Sequence, residues 1–287
     1  MRFASLLIVL VFAVTTGFSQ KNPIETKHYK GQFYLYWGWN QDWYTKSDIH
    51  FKGSDFDFTL YDVQAHDKQK KFAVDPYLNP LQFTVPQTNF RLGYFINDKY
   101  SISLGFDHMK YVVTQYQTVK ITGTIENTIT DYNGVYTNDD IEINPTFLLY
   151  EHTDGLNYIN VELRRHHDLF DFNRIGVNNI LIKMEEGFGI AGLYPKTDAT
   201  LLSNPRNDEF HVAGYGMGAH VGLNITFFKH FFLQSELKGG YINMPDIRVT
   251  SNKNDQAKQH FYFLQSNFVI GANFWLFKPK PATPVKN

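Results

Sequence analysis

Nine charged or titratable side chains occupy alternate positions of segments that resemble β-strands, on the face opposite the apolar residues. They are four acids, four bases and one histidine: Arg91, Asp107, Glu162, Arg164, Lys183, Glu185, His220, Glu236 and Lys238. Successive side chains of a strand point to opposite faces. If this polar face is enclosed, its charges must be paired or hydrated. We predict a salt-bridged network that fills the interior and fixes strand register. A small gated pore or a proton path is the alternative, and either needs water through the same network.

Histidines raise the question of a metal site. The chain has eleven, and four of them fall near predicted outer strand ends or in loops, close to two aspartates: His108, His152, His211 and His260, with Asp107 and Asp154. An external His/Asp cluster is therefore geometrically allowed. No pair has the helical spacing of a zinc motif, however. We predict no metal site and no cofactor.

Serines in the predicted outer loops raise the question of a hydrolase. Ser47, Ser203 and Ser251 lie there, and one of the outer histidines could act as the base in attack on an acyl ester, as in outer-membrane lipid A deacylases. The chain has no Gly-x-Ser-x-Gly elbow and no compact triad spacing. We therefore predict no catalytic residues, with a lipid A-modifying hydrolase as the alternative.

The elements that must position these residues are clearest in residues 211–277. Three long segments alternate there, "HVAGYGMGAHVGLNITFF", "FFLQSELKGGYI" and "HFYFLQSNFVIGANFWLF", separated by a break at Lys229-His230 and a polar stretch at 246–258. A period of two indicates strands, and these far exceed the usual length of about 5 to 6 residues. Apolar residues on one face, Gly, Asn and charge on the other, and aromatics near both ends favour a transmembrane barrel over a soluble sandwich.

The rest of the chain fits an all-β, antiparallel, up-and-down transmembrane barrel of eight strands. Short connections at 97–99, 167–175 and 229–230 are predicted on the periplasmic side. Long extracellular loops are predicted at 42–86, 114–156, 192–210 and 246–258, the first of them an ordered excursion with a possible hairpin. Ten strands result if 49–63 and 146–152 also span the membrane. An even strand number with both termini in the periplasm is the rule for such barrels.

Composition and the two ends of the chain limit the cellular compartment in which the protein is expected. Met1-Arg2 followed by "FASLLIVLVFAVTTGF" predicts a signal peptide over residues 1–19, with an N-terminal anchor as the alternative. Residues 20–277 would then form the barrel, and 278–287 a Pro/Lys-rich periplasmic tail. The absence of cysteine excludes disulfides and thiolate metal sites. A formal charge of -1 gives no basic surface for nucleic acid. Outer-membrane lipid, lipopolysaccharide and an unknown external ligand are the expected partners.

Four stretches carry a similarity over nearly the whole mature chain: the signal ending in "SQ", "FRLGYFINDKYSISLGFDHMKY", "EHTDGLNYINVEL" and "FFKHFFLQSELKGGYINMPDIR". They resemble an outer-membrane β-barrel family of the Bacteroidota whose members are mostly uncharacterised. It implies the fold and the cell outer membrane, and it brings no functional residues. The sequence therefore predicts a non-enzymatic outer-membrane barrel whose external loops bind a ligand or shield the surface.

Overall fold

The computed structural model describes residues 28–71, 73–77, 86–172 and 179–276. The predicted signal peptide, 1–19, and the predicted tail, 278–287, lie outside these residues. A short helical segment, α1, spans Val74–Tyr77 and is interrupted at Asp75, whose backbone is not helical (φ -103°, ψ 122°). The strands of the described chain are β1 Phe33–Tyr44, β2 Ser47–Lys52, β3 Phe56–Val63, β4 Ala65–His66, β5 Thr88–Phe95, β6 Tyr100–Asp107, β7 Tyr111–Val113, β8 Gln117–Ile125, β9 Gly134–Ile143, β10 Leu148–His152, β11 Tyr158–Asp171, β12 Ile180–Leu193, β13 Lys196–Leu201, β14 Asn207–Phe210, β15 Gly214–Phe227, β16 Phe231–Arg248 and β17 Gln256–Phe274.

Eight antiparallel strands form a closed ring. Their order is β1, β5, β6, β11, β12, β15, β16 and β17, and β17 pairs again with β1 from Phe33↔Phe274 to Tyr44↔Phe263. Cross-strand partners followed once around the ring from Leu35 lead to Tyr262, whose carbonyl accepts the amide of Thr45, so the register advances by ten residues. A stagger of this kind is what closes a tilted sheet into a barrel. The predicted eight-stranded fold is confirmed.

Exposure around the ring is opposite to that of a soluble barrel. On β5, Phe90 and Leu92 are 47% and 42% exposed, whereas Arg91 between them is 1% exposed. The same alternation runs along β16, where Leu233 and Leu237 face outward and Glu236 faces inward. Because the pleat places successive side chains on opposite faces, one strand supplies both an apolar exterior and a charged interior. The barrel wall is therefore apolar outside and polar inside.

Two further groups of strands form a domain at one end of the barrel. The hairpins β2–β3 and β8–β9 extend the barrel sheet from the far end of β17, where Gln256–Gln259 pair with β2. A separate sheet has the order β14, β13, β10, β7 and β4. A cluster of buried apolar residues packs within this outer domain, including Phe51, Phe58, Phe147 and Ile247. The same cluster includes Leu193 of β12, Ile242 of β16 and Phe261 of β17, so the core of the outer domain is continuous with the end of the barrel.

The outer domain differs from the loops that the sequence predicts. The predicted hairpin within 42–86 is confirmed as β2–β3, and 49–63 therefore lies outside the barrel ring. Apart from 192–193, which end β12, the predicted loops 114–156 and 192–210 lie outside the barrel ring, but they are not irregular, since they contain β8, β9, β10, β13 and β14. Val119, Ile121 and Ile125 face the buried cluster, and this packing overrides the poor strand propensity of nearby Asn, Asp and Gly. Segment 146–152 contributes β10 to the separate sheet, so the ten-strand alternative is wrong.

Two predicted connections are shorter than expected. Strand β11 runs through the polar residues 167–171, and β16 and β17 extend into 246–258 as far as Arg248 and from Gln256. Polar residues at the ends of barrel strands can continue the backbone ladder beyond the apolar wall, so polarity alone does not end a strand. Within the described ranges, no helix is long and apolar enough to cross a membrane.

Candidate functional site in the barrel lumen

Arg164 on β11 is the centre of the lumen charge network. Its Nη1 donates to Glu185 Oε1 at 2.7 Å and to Glu236 Oε2 at 2.8 Å. Its Nε and Nη2 donate to Glu162 Oε2 at 2.9 and 2.6 Å. The side chain is 0% exposed. One guanidinium thus binds three carboxylates from β11, β12 and β16, a use of its planar fork that a lysine could not reproduce.

Arg91 on β5 binds Glu162 as well, from two strands away in the ring. Its Nη1 lies 3.0 Å from Glu162 Oε2, its Nη2 donates to Asn160 at 2.7 Å, and its Nε donates to the Tyr36 hydroxyl at 2.7 Å. Gly105 on the neighbouring strand makes room for the guanidinium, because a Cβ there would lie 2.4 Å from Arg91 Nη2. The glycine is needed for a close approach across the wall.

Lys238 on β16 completes the set of cations around Glu162. Its Nζ lies 2.8 Å from Glu162 Oε1 and 2.6 Å from Asp107 Oδ2, and 4.7 Å from the centre of the Tyr158 ring. Glu162 therefore pairs with three cations. Charge pairs in a low-dielectric interior are stable only when the geometry and the remaining hydrogen bonds are good.

Two histidines border the acidic side of the network. His220 Nδ1 on β15 lies 3.4 Å from Glu162 Oε2, and the side chain is 0% exposed. His166 on β11 places Nδ1 3.5 Å from Glu185 Oε2, and its Nε2 lies 2.8 Å from Ser101 Oγ. Gln234 donates to both Glu185 and Glu236. His166, His220 and Gln234 stand on β11, β15 and β16, so they connect the acids to three strands.

Eight of the nine residues named from the sequence therefore form one contiguous cluster, and Lys183 lies apart. Lys183 Nζ is 4.2 Å from the centre of the Tyr29 ring, and the Tyr29 hydroxyl donates to Asp168. Lys183 and Asp168 are also cross-strand partners. The lumen thus has a separate interaction at the end of β11, next to the main cluster.

Several members of the network are not among the nine residues singled out from the sequence. Tyr36, Asn160, Gln234 and Asn267 are polar partners of the charges, and each stands on an inward parity of its strand. That parity is the sequence signal that would have identified them. His166 lies one residue before the predicted connection at 167–175, and the extension of β11 through that segment places its side chain inside.

A layer of amide side chains lies between the charged cluster and the outer domain. Gln265 donates to Asp42, Gln87 donates to both Asn40 and Asp42, and Asn40 donates to Asn89. All five side chains are buried. These hydrogen bonds join side chains of β1, β5 and β17, so this part of the interior is a hydrogen-bonded plug.

The outer histidines and serines have separate partners. His108 lies 2.9 Å from Asn157 Oδ1, and His211 lies 2.8 Å from Asp246 Oδ2. Ser47 accepts from Gln259, and Ser203 donates to the Thr146 carbonyl. Neither of these two serine hydrogen bonds involves a histidine. The external His/Asp cluster is not assembled either: within the described residues, the group of three possible metal ligands lies in the lumen, at Glu185, His220 and Glu236.

His152 gives the outer domain a dependence on pH. It is 0% exposed, its Nδ1 lies 3.2 Å from Thr197 Oγ1, and burial lowers its pKa from 6.5 to about 3. The unfolded state binds the proton first, so stability is full above about pH 6.5 and falls as the pH drops toward 3. At about 1.4 kcal/mol per pH unit, going from pH 7 to pH 5 is expected to cost about 2 kcal/mol.

The check is the urea midpoint of the outer domain at the two pH values, followed by near-ultraviolet circular dichroism of its buried tyrosines. His152→Gln removes the titrating group, so its midpoint should shift less with pH than that of the wild type. His66→Gln, an exposed position on the same sheet, is the control. Equal pH losses in wild type and His152→Gln would show that other groups cause the effect.

The chain is similar to several solved outer-membrane proteins, at low sequence identity and low TM-score. No protein-family model matches the chain, and no curated protein sequence matches it. The outer membrane protein OprG of Pseudomonas aeruginosa is 9% identical, with 87% of this chain and 99% of that chain covered at a TM-score of 0.37. Ail, the attachment invasion locus protein of Yersinia pestis, is 10% identical, covering 84% and 99%, with a TM-score of 0.28. Neisserial surface protein A is 11% identical, covering 82% and 98%, with a TM-score of 0.29. At such values these proteins say nothing about what this chain binds.

Proposed function

We propose that this chain is a non-enzymatic integral outer-membrane β-barrel protein, with a lumen sealed by ion pairs and an external domain that binds a ligand or shields the cell surface. The observation that carries the proposal is the inverted exposure of the barrel wall. Phe188 and Ile190 on β12 are 61% and 68% exposed, whereas Arg164 on the adjoining strand is fully buried. Contiguous apolar exposure around a whole barrel is unfavourable in water and suits lipid.

Aromatic residues support a membrane boundary at each end of this apolar wall. Trp43, Tyr215 and Tyr262 are exposed toward the outer domain. Phe231 is exposed at the opposite end, beside the β15–β16 turn, and Phe33 stacks on Phe274 there. Aromatic girdles of this kind mark the interfaces of transmembrane barrels. Outer-membrane lipid and lipopolysaccharide are then the partners of the wall.

The outer domain supports the second half of the proposal. Its core residues, such as Ile49, Leu60 and Ile143, are 0% exposed, so the domain is a packed unit. At the end of the β8–β9 hairpin, Ile129 and Val135 are 91% and 75% exposed. Large apolar side chains that a packed domain exposes to solvent are suited to contact with another molecule. Binding experiments on this hairpin would identify that molecule.

The absence of cysteine allows a direct test of location and orientation. Single-cysteine variants Ile129→Cys, at the β8–β9 hairpin, and Lys99→Cys, at the exposed β5–β6 turn, are treated on intact bacteria with a membrane-impermeant maleimide. We expect labelling of Ile129→Cys only, and labelling of Lys99→Cys after the outer membrane is opened. The wild type is the unreactive control. Labelling of Lys99→Cys alone on intact cells would contradict the proposed orientation.

Single-channel recording separates the sealed lumen from a small pore. Folded wild-type protein in a planar bilayer is expected to give no steady ionic current, because Arg164 and its partners bridge the lumen from β11 to β16. The control is the same addition of protein-free detergent. A reproducible steady conductance from the folded wild type would refute the sealed lumen and support the pore.

A further inference from the structure

His220 is a buried imidazole that no described group satisfies. The residue is 5% exposed, and neither ring nitrogen makes a hydrogen bond within the described chain. Its nearest charged contact, Glu162 Oε2, lies 3.4 Å from Nδ1. A buried polar group without a hydrogen bond loses its hydration without replacement, which destabilises the folded state. An apolar side chain at this position would avoid this loss. The imidazole is therefore best explained by a ligand that it binds.

Two carboxylates converge on this imidazole from the adjoining strands. Glu185 on β12 and Glu236 on β16 are both cross-strand partners of Gly222, and His220 is the next inward residue of the same strand. One ligand atom from each of Glu185, His220 and Glu236 lies within 4.8 Å of the other two. The three donors thus come from three hydrogen-bonded neighbours in a closed barrel, which is a rigid support for a binding site.

Arg164 does not use all the oxygens of these carboxylates. It binds Oε1 of Glu185 and Oε2 of Glu236, so the second oxygen of each carboxylate is left to other partners. Asn267 donates to Glu236 Oε1 at 3.2 Å, and His166 Nδ1 lies 3.5 Å from Glu185 Oε2. A cation between the two acids can share them with Arg164, because a carboxylate accepts several bonds at once.

Charge also favours a cation in this place. The contiguous cluster contains four carboxylates, Asp107, Glu162, Glu185 and Glu236, and three permanent cations, Arg91, Arg164 and Lys238. One negative charge is therefore in excess when His220 is neutral. A neutral imidazole with a free nitrogen is also the form that binds metal ions. An anion would meet repulsion at this position.

We propose that Glu185, His220 and Glu236 bind a divalent transition-metal ion such as Zn²⁺ inside the barrel lumen. One imidazole nitrogen and two carboxylate oxygens form a mixed N/O donor set of the kind that zinc and its first-row neighbours accept, whereas calcium and magnesium prefer oxygen alone. Nε2 of His220 is the ligand atom, and Glu162 beside Nδ1 orients the ring as an outer carboxylate. The site rests on lumen geometry and is independent of what the outer domain binds.

Cobalt is the probe, because tetrahedral or five-coordinate Co²⁺ absorbs visible light. Untagged protein is refolded into detergent in the presence of Co²⁺, since the closed lumen hinders later entry, and unbound metal is removed by gel filtration. We expect one Co²⁺ per chain, a visible absorption band that Zn²⁺ abolishes when it replaces Co²⁺ during refolding, and a higher unfolding temperature than for protein refolded with a chelator. Refolded wild type without stoichiometric metal would overturn the proposal.

Variants separate this site from other histidines. His220→Phe preserves a ring of similar size and is expected to lose the absorption band and the metal-dependent rise in unfolding temperature. His167→Phe, on the outward face of β11, should keep both. Retention of the band in folded His220→Phe would overturn the assignment. If that variant fails to refold, Glu236→Gln gives the second reading: it should weaken Co²⁺ binding at least tenfold, and unchanged binding counts against the site.

Discussion

Replacing Arg164 with methionine is expected to lower the free energy of unfolding by about 3 to 5 kcal/mol, the usual result of breaking a buried charge cluster by removing one partner. Arg164 is 0% exposed and binds Glu162, Glu185 and Glu236. Glu162 keeps Arg91 and Lys238, but within the described chain no other lysine or arginine pairs with Glu185 or Glu236. Two carboxylates would then be buried without a permanent countercharge.

The measurement is urea unfolding in lipid vesicles, followed by tryptophan fluorescence. Arg165→Met is the matched control, because Arg165 is the next residue on the same strand, faces outward and is 47% exposed. Its 3.8 Å contact with Glu186 is a surface pair, worth at most about 1 kcal/mol. Similar losses in the two variants would mean that Arg164 is not enclosed as the structure has it.

A second large effect is expected from Glu236→Ala compared with Leu233→Ala. The Glu236 side chain is 1% exposed and bound to Arg164, and its loss leaves the guanidinium with fewer acceptors. Leu233 on the same strand is 36% exposed on the outward face. In detergent micelles the shortened apolar side chain is still solvated by apolar chains, so little is lost. We expect Glu236→Ala to lower the unfolding temperature more.

This comparison also tests the environment of the wall. The two positions share a strand and differ in facing, so differences in local backbone structure are small. If Leu233→Ala is the more damaging substitution, the outward face packs against protein. The chain would then be a soluble β protein with a polar centre, and the proposed membrane location would fail.

The facing of each barrel residue could be predicted because a strand has a period of two. Arg91, Glu162 and Glu236 were assigned to the inside by their apolar neighbours alone, and the structure buries all three. The period of two does not specify the register between paired strands. Lys238 binds Asp107 across 131 residues of sequence, and such a contact depends on the stagger of the closed sheet, which no local pattern specifies.

The outer domain was not predictable for a different reason. Its strands β8 and β9 are rich in Thr, Asn and Asp and have one solvent-exposed face, so their composition resembles that of a loop. They pair with each other as a local hairpin, but their apolar side chains are buried only by contacts with distant segments such as β3. The candidate metal ligands show the same limit: His220, Glu185 and Glu236 were each placed inside, but their convergence beside Gly222 follows from pairing of three separate strands.

The extension of β16 and β17 past the barrel constrains the order in which the protein folds. Strand β2 begins at Ser47, yet it pairs with β17 at Gln256–Gln259, more than two hundred residues later. Contacts so distant in sequence form late, because the chain entropy of closing the loop must be overcome first. Residues 47–63 therefore have no barrel-side partner until the last strand has inserted. The core of the outer domain includes Ile247 of β16 and Ala257 of β17, so it is complete only after these last two strands have formed.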